Sequence, residues 1–132
     1  MEYRKQGTVV RVVDGDTLDV KLILKSIHED LGFKFRLDLD IPHTIRVRLK
    51  DINAPESFGP MSSDAGRAAK AFLTELLPPG THVEVTTFKE GPSAYNRYSA
   101  VVRILNEDGE ASAPVNQTIV ESGHAVSSPY SG

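Results

Sequence analysis

Thr44-Ile45-Arg46-Val47-Arg48-Leu49-Lys50 alternates apolar and basic residues with a period of two. Successive side chains of a strand point to opposite faces, so Ile45, Val47 and Leu49 share one face and Arg46, Arg48 and Lys50 the other. The strand runs directly into Asp51-Ile52-Asn53-Ala54-Pro55-Glu56, a polar turn closed by proline and a carboxylate. Upstream, Phe33 to Leu39 alternates in the same way, with Phe33, Phe35, Leu37 and Leu39 on one side. Asp40 to His43 contains Pro42 and reads as a turn. Gly7 to Val13 is a β-branched strand, Asp14-Gly15 breaks it, and Thr17 to Leu24 resumes it.

Downstream of the polar turn, a loop with Pro55 and Pro60 leads to Ser63 or Asp64, either of which can cap a helix running to about Leu77. Ala65, Ala68, Ala69, Phe72, Leu73, Leu76 and Leu77 fall at helical spacing, and Pro78-Pro79-Gly80 ends the run. His82 to Phe88 and Arg97 to Leu105 read as strands, with a loop at Lys89 to Ser93 between them and a turn at Asn106 to Gly109 after them. Val115 to Ser122 reads as a short helix after Pro114, stopped by Gly123. The order is about five strands, one long helix and one short one, with no βαβ alternation, which disfavours a doubly wound parallel sheet. A mainly β fold, a five-stranded Greek-key barrel of the OB type with helices, fits this order and length.

The chain has 132 residues, enough for one domain with its own core. We expect a single domain over 1–132, with an extended hairpin at about 20–45 and an irregular tail at 124–132. The hydrophobic share of 39% and charged share of 25% are those of a globular protein and exclude a fibre or a disordered tail. No apolar run reaches the roughly 20 residues of a membrane span, so no membrane association is expected. Met1 to Gln6 lacks the apolar stretch of a signal peptide, and there is no cysteine; both point to a cytoplasmic protein. The net charge of −3 means that any positive site for phosphate is local rather than global.

Three clusters bear chemistry. Asp14-Gly15-Asp16-Thr17 is either a plain hairpin signal or a glycine bend presenting carboxylate oxygens to a hard cation. In Arg48 to Glu56, the basic residues either form a solvated strand face or fix a guanidinium beside a general base and a metal ligand. Arg suits phosphate because its planar fork donates two parallel hydrogen bonds. Tyr95-Asn96-Arg97-Tyr98 is either a loop-to-strand junction or a second Arg facing the same phosphate, with Tyr95 donating a hydrogen bond to it. His28, His43, His82 and His124 lie outside all three clusters, which disfavours a zinc hydrolase.

Taken together and in this order, the clusters resemble the thermonuclease (staphylococcal nuclease-like) family. Its pattern is D-G-D-T, then R-L-x-x-I-[DN]-x-P-E, then Y-x-R, then V-N-x-x-[LI]-V-x-x-G-x-A. These read here as Asp14 to Thr17, Arg48 to Glu56, Tyr95 to Arg97 and Val115 to Ala125, so the resemblance covers Gly7 to Ala125. The I-N-A-P-E form and the ending after Ala125 are similar to members encoded by bacteriophages. The resemblance implies an OB-fold nuclease that cuts DNA and RNA with Ca²⁺, with little sequence preference, and leaves 3′-phosphate ends. By matching position it implies Asp16, Asn53 and the Ala54 carbonyl as metal ligands and Glu56 as general base. It further implies Arg48 and Arg97 as phosphate clamps, Tyr95 as a substrate contact, and Asp14 as an aspartate standing behind the ligands.

The sequence departs from the pattern in several places. Asn53 stands where a second carboxylate is usual, which removes one negative charge and implies weaker metal binding. Ser93 and Ala94 stand where the family often has Asp-Lys. Asp16 and Arg48 are 32 residues apart, a long separation that extends the hairpin over about Lys25 to Pro42. Its Lys25, Lys34 and Arg36 either guide a nucleic-acid strand or form the solvated side of a β-arm. The chain stops soon after Ala125, without the C-terminal helix of longer members. The alternative to catalysis is a nucleic-acid-binding or assembly protein on the same barrel. Asp16, Arg48, Glu56 and Arg97 together favour catalysis, because a carboxylate beside phosphate repels it unless it serves the reaction.

Overall fold

The computed structural model describes residues 2–30, 34–89 and 98–128. Its frame is β1 (Glu2–Asp14), β2 (Thr17–Asp30), β3 (Lys34–Leu49), β5 (His82–Lys89) and β6 (Tyr98–Leu105). They follow the order β3-β2-β1-β5-β6, and a β3–β6 pairing joins the two ends into a closed five-stranded barrel. All neighbours are antiparallel except this last pair, which is parallel and holds Val47↔Tyr98, Arg48↔Ser99 and Leu49↔Ala100. Closure removes the open edges that β-branched strands would otherwise leave for pairing with other chains. The mainly β, OB-type barrel expected from the sequence is therefore the fold.

The alternation of the opening stretch sets the core. Val47 and Leu49 are fully buried, Ile45 packs against them, and Arg46 is outside. They meet Leu18, Val20, Val83, Val85 and Val102 from the other strands, and Leu73, Leu77 and Ile119 from two helices. Each such fully buried aliphatic side chain contributes about 1.5–3 kcal/mol relative to exposure.

Helix α1 (Asp64–Leu76) begins where Ser63 Oγ accepts the Gly66 N–H at 3.0 Å. It ends at Leu77, ahead of the two prolines, which disfavour further helix. Its buried residues are Gly66, Ala69 and Leu73, whereas Ala65 and Ala68 are exposed. The inward stripe is thus rotated from the one the alanines suggested, because a glycine occupies the tightest contact. Helix α2 (Val115–Glu121) follows Pro114, and Gly123 leaves it at φ +86°, the left-handed region that glycine enters without steric cost.

Asn116 on α2 is buried and fully bonded. Its Nδ2 donates to the Lys50 and Ala100 carbonyls at 3.1 and 3.0 Å, and its Oδ1 accepts the Val102 N–H at 3.1 Å. One side chain thus ties α2 to the end of β3 and to β6, at the parallel seam.

The structure departs from the sequence reading at four places. Asp40 to His43 is no turn: β3 runs straight through Pro42, which pairs with Ile23 on β2. β6 joins β3 only at Val47–Leu49, so at Pro42 no described strand needs the missing N–H on that side. β1 starts at Glu2, before Gly7, because its first half pairs with β5. A short β7 (Ala111–Pro114), in a stretch to which the sequence assigns no element, pairs with β6. Lastly, the tail is not wholly irregular: β8 (Val126–Ser127) pairs with β4 (Ile52–Asn53), and the Ser128 N–H donates to the Asp51 carbonyl at 2.7 Å. The long hairpin is present, with β2 and β3 paired out to Asp30↔Lys34. Among the described residues no helix is long and apolar enough to cross a membrane.

Candidate active site

The β1–β2 turn is two residues long, Gly15-Asp16, and its walls are close. A Cβ on Gly15 would lie 2.7 Å from Ala69 Cβ and 2.9 Å from Ala54 Cβ. Gly15 is not among the glycines with positive φ, so close approach rather than backbone conformation demands it. Asp14 Oδ1 accepts the Gly15 N–H at 3.0 Å and steadies the turn. Asp16 is 8% exposed; its Oδ1 accepts from Thr17 Oγ1 at 2.9 Å and its Oδ2 from the Ala54 N–H at 3.0 Å. Its carbonyl accepts the Leu49 N–H at 2.8 Å, locking the turn to the end of β3.

The polar corner arrives from the other side. Asp51 takes φ +63°, a left-handed conformation that Asp tolerates better than most residues, and reverses the chain between β3 and β4. This brings Asn53 to Arg48, whose Nη2 donates to Asn53 Oδ1 at 2.8 Å and stands 3.9 Å from Asp16 Oδ2. Glu56 is exposed, but its backbone is pinned: its carbonyl accepts the Ser63 N–H at 3.1 Å. A Cβ on Gly66 would fall 1.8 Å from that carbonyl oxygen. Helix α1 therefore rests by Ala69 on the first corner and by Gly66 on the second.

Asp14, Asp16, Arg48, Asn53, Ala54 and Glu56 all line one cavity of about 800 Å³. Thr17, Arg46, Pro55, Phe58, Met61 and Tyr98 complete it. Tyr95 and Arg97 lie outside the described residues; Tyr98, which follows Arg97 in the chain, lines the cavity. The side chains of Lys25, Lys34 and Arg36 also lie outside the described set.

None of the basic residues of the opening stretch is merely solvated. Lys50 reaches Asp51 at 3.2 Å and stands 5.2 Å from the centre of the Phe88 ring. Arg46 is paired with Asp19, a residue the sequence did not single out. Asp19 is 5% exposed and sits between Arg46 Nε at 2.9 Å and Arg11 Nε at 2.8 Å. The three are direct cross-strand neighbours, Arg11↔Asp19 and Asp19↔Arg46. The hydrogen bond from Arg46 holds the Asp19 carboxyl below its ordinary range; burial opposes this and Arg11 reinforces it. Arg46 is correspondingly raised by Asp19.

The oxygen donors at Asp16 and Asn53 suit a hard cation such as Ca²⁺ by type. Their number is small: among the described residues no group of three or more acidic or histidine side chains is gathered for a metal. The Ala54 contact visible with Asp16 is through the amide N–H. The sequence missed Arg46, Asp19, Phe58, Met61 and Gly66 as parts of this region. Gly66 carried a signal, since a glycine inside a helical stretch costs about 1 kcal/mol relative to alanine and calls for a packing reason.

Fold and site together define a small closed OB-type barrel, consistent with a staphylococcal-nuclease-like one, bearing an acidic and arginine-lined cavity beside its seam. No family model matches the chain. It is similar to Endonuclease YhcR of Bacillus subtilis (strain 168), with 28% identity over 131 residues, covering 94% of this chain and 9% of that protein. The chain thus spans about a tenth of the length of the curated relative it matches.

Proposed function

We propose that this barrel is a nuclease domain that hydrolyses phosphodiester bonds of DNA and RNA with Ca²⁺. The observation that carries the reading is the convergence of Asp16, Arg48, Asn53 and Glu56 on one cavity from three separate segments. Similarity to a protein named an endonuclease supports the same class of chemistry. Among the described residues the cavity lining includes three carboxylates, Asp14, Asp16 and Glu56, and two guanidiniums, Arg46 and Arg48. Carboxylates beside a phosphate repel it unless they hold a cation or accept a proton.

Glu56 takes the proton of a water whose oxygen attacks phosphorus. General base catalysis of this kind is typically worth about 10²–10⁴-fold. The P–O5′ bond breaks, the departing 5′ oxygen takes a proton from solvent, and the phosphate stays on the 3′ side. Arg48 donates to the phosphate oxygens as they gain charge, and Arg97 is proposed as the second clamp, with Tyr95 on a neighbouring phosphate. Asp16 and Asn53, with the Ala54 carbonyl, would hold the cation, and Asp14 keeps the turn in place behind them. The cation, when bound, supplies positive charge to the phosphate oxygens. In Arg48 the same guanidinium already spans Asn53 and Asp16, so its position is set before substrate arrives.

The test is digestion of plasmid DNA, single-stranded DNA and RNA in Ca²⁺, in Mg²⁺ and in EDTA, with Glu56→Gln beside the unaltered protein. We expect cleavage in Ca²⁺, loss in EDTA, and a kcat lowered about 10²–10⁴-fold by Glu56→Gln. Undiminished cleavage by the variant would remove Glu56 as base. Binding of nucleic acid without cleavage in any metal would leave a binding protein on the same barrel.

A further inference from the structure

The sequence motifs leave the loop between Glu56 and Ser63 without a role, yet it carries the most conspicuous apolar surface of the site. Phe58 is 61% exposed and Met61 74% exposed, and among the described large apolar side chains only Val126, at 63%, is comparable. Both line the cavity that contains Arg48 and Glu56. The loop is internally fastened: the Ser62 N–H donates to the Gly59 carbonyl at 3.1 Å and the Ser63 N–H to the Glu56 carbonyl at 3.1 Å. Gly59, at φ +81°, makes the bend that leaves Phe58 and Met61 on either side of Gly59-Pro60. An aromatic ring and a thioether exposed to water on a cavity that two guanidiniums also line call for a ligand that is apolar and flat at one end and anionic at the other. A nucleotide has that form.

We infer that Phe58, backed by Met61, is the stacking platform for the base of the nucleotide whose phosphate Arg48 holds. The inference rests on the nuclease reading for its substrate and adds a base site to it. The chemistry that selects the occupant is the juxtaposition itself. Arg48 and Arg46 line the same cavity as Phe58 and Met61, so a phosphate seated there shares the cavity with the apolar rim. Stacking on an aromatic face is tolerant of base identity, because every base has a π-face. It requires the base to be unpaired. The site therefore favours bases that can leave a duplex, without reading which base it is.

The experiment compares two single strands of equal length, an oligothymidylate and the matching abasic deoxyribose-phosphate oligomer. Binding of each is followed by fluorescence anisotropy in Ca²⁺, with Glu56→Gln as the parent to prevent cleavage. We expect the oligothymidylate to bind about 5- to 150-fold more tightly, the range that one stacked base supplies. Phe58→Ala should abolish that gap while leaving abasic binding unchanged, Phe58→Tyr should keep it, and Met61→Ala should narrow it. The inference is overturned if Phe58→Ala weakens both oligomers equally, if it changes neither, or if the parent binds no oligomer. Cleavage by the unaltered protein is scored separately. Cleavage without the Phe58-dependent gap sinks the base site and leaves the nuclease reading. The gap without cleavage does the reverse.

Discussion

Replacing Gly66 by alanine should damage the site from behind. The added Cβ would fall 1.8 Å from the Glu56 carbonyl oxygen, 2.3 Å from its carbon and 2.9 Å from the Ser57 nitrogen. All three are backbone atoms, so no side chain can swing aside. Contacts shorter than 3.0 Å are essentially never seen for real Cβ atoms, so helix and corner must separate by more than 1 Å. In an exposed helix the same substitution would stabilise by about 1 kcal/mol through propensity alone. Here overpacking costs about 1–3 kcal/mol, and loss of the Ser63-to-Glu56 hydrogen bond costs a further ~1 kcal/mol. The net expectation is a destabilisation of about 1–3 kcal/mol, read as a lower urea midpoint at an unchanged m-value. Activity should suffer more than stability, because a misplacement of about 1 Å at a reacting group can cost about 10²-fold. That loss should fall on kcat, since Arg48 is anchored on the barrel and keeps its hold on phosphate. A Gly66→Ala protein that is more stable than its parent, with unchanged kcat, would refute the close approach and the positioning role inferred from it.

Three other expectations follow from named contacts. Asn53→Asp restores a carboxylate beside Asp16 and should tighten calcium binding roughly tenfold by calorimetry, a screened part of the ~4 kcal/mol between unit charges at 4 Å; an unchanged affinity would show that Asn53 is not a ligand. Asp19→Asn should lower stability by about 1 kcal/mol at neutral pH, a modest value because Arg11 and Arg46 are more than half exposed. The Asp19 carboxyl is depressed on folding, so its contribution is complete above the unfolded value near 3.9 and is lost as pH falls through the lower folded value. Parent and variant should therefore differ fully at pH 7 and converge in acid below about pH 4, as followed by urea unfolding across pH. Asn116→Ala strips three hydrogen bonds, two of them buried, and should cost about 3 kcal/mol, checked by thermal unfolding.

Much of the barrel was legible because one face of each central strand is buried. A period of two then has only one physical solution, as Ile45, Val47 and Leu49 show. Helix α1 was legible from its ends, where Ser63 supplies an acceptor and Pro78 forbids continuation. Pro42 misled, since the cost of a missing N–H depends on whether a neighbouring strand needs it, and that is a property of the sheet. β7 and β8 are short pairings created by what lies beside them, so no local period announces them. At the site, residue types were readable and distances were not: Asp16, Arg48 and Asn53 meet because the Gly15 turn and the Asp51 reversal face each other. Asp19 was hidden for the same reason. A lone Asp in an apolar strand acquires meaning only when the register sets Arg11 on one side of it and Arg46 on the other.

Arg48 is the middle rung of the three-pair parallel seam. A shorter join than any other in the barrel is the natural place for it to come ajar, with Asn116 as its only described side-chain clasp from α2. Loosening of that join leaves Arg48 with Asp16, because the Thr17↔Arg48 pairing and the Leu49 N–H on the Asp16 carbonyl hold both on the β2–β3 side. What it would part is the β2–β3 side, with its polar turn and guanidinium, from the β6 side that brings Tyr98 to the same cavity.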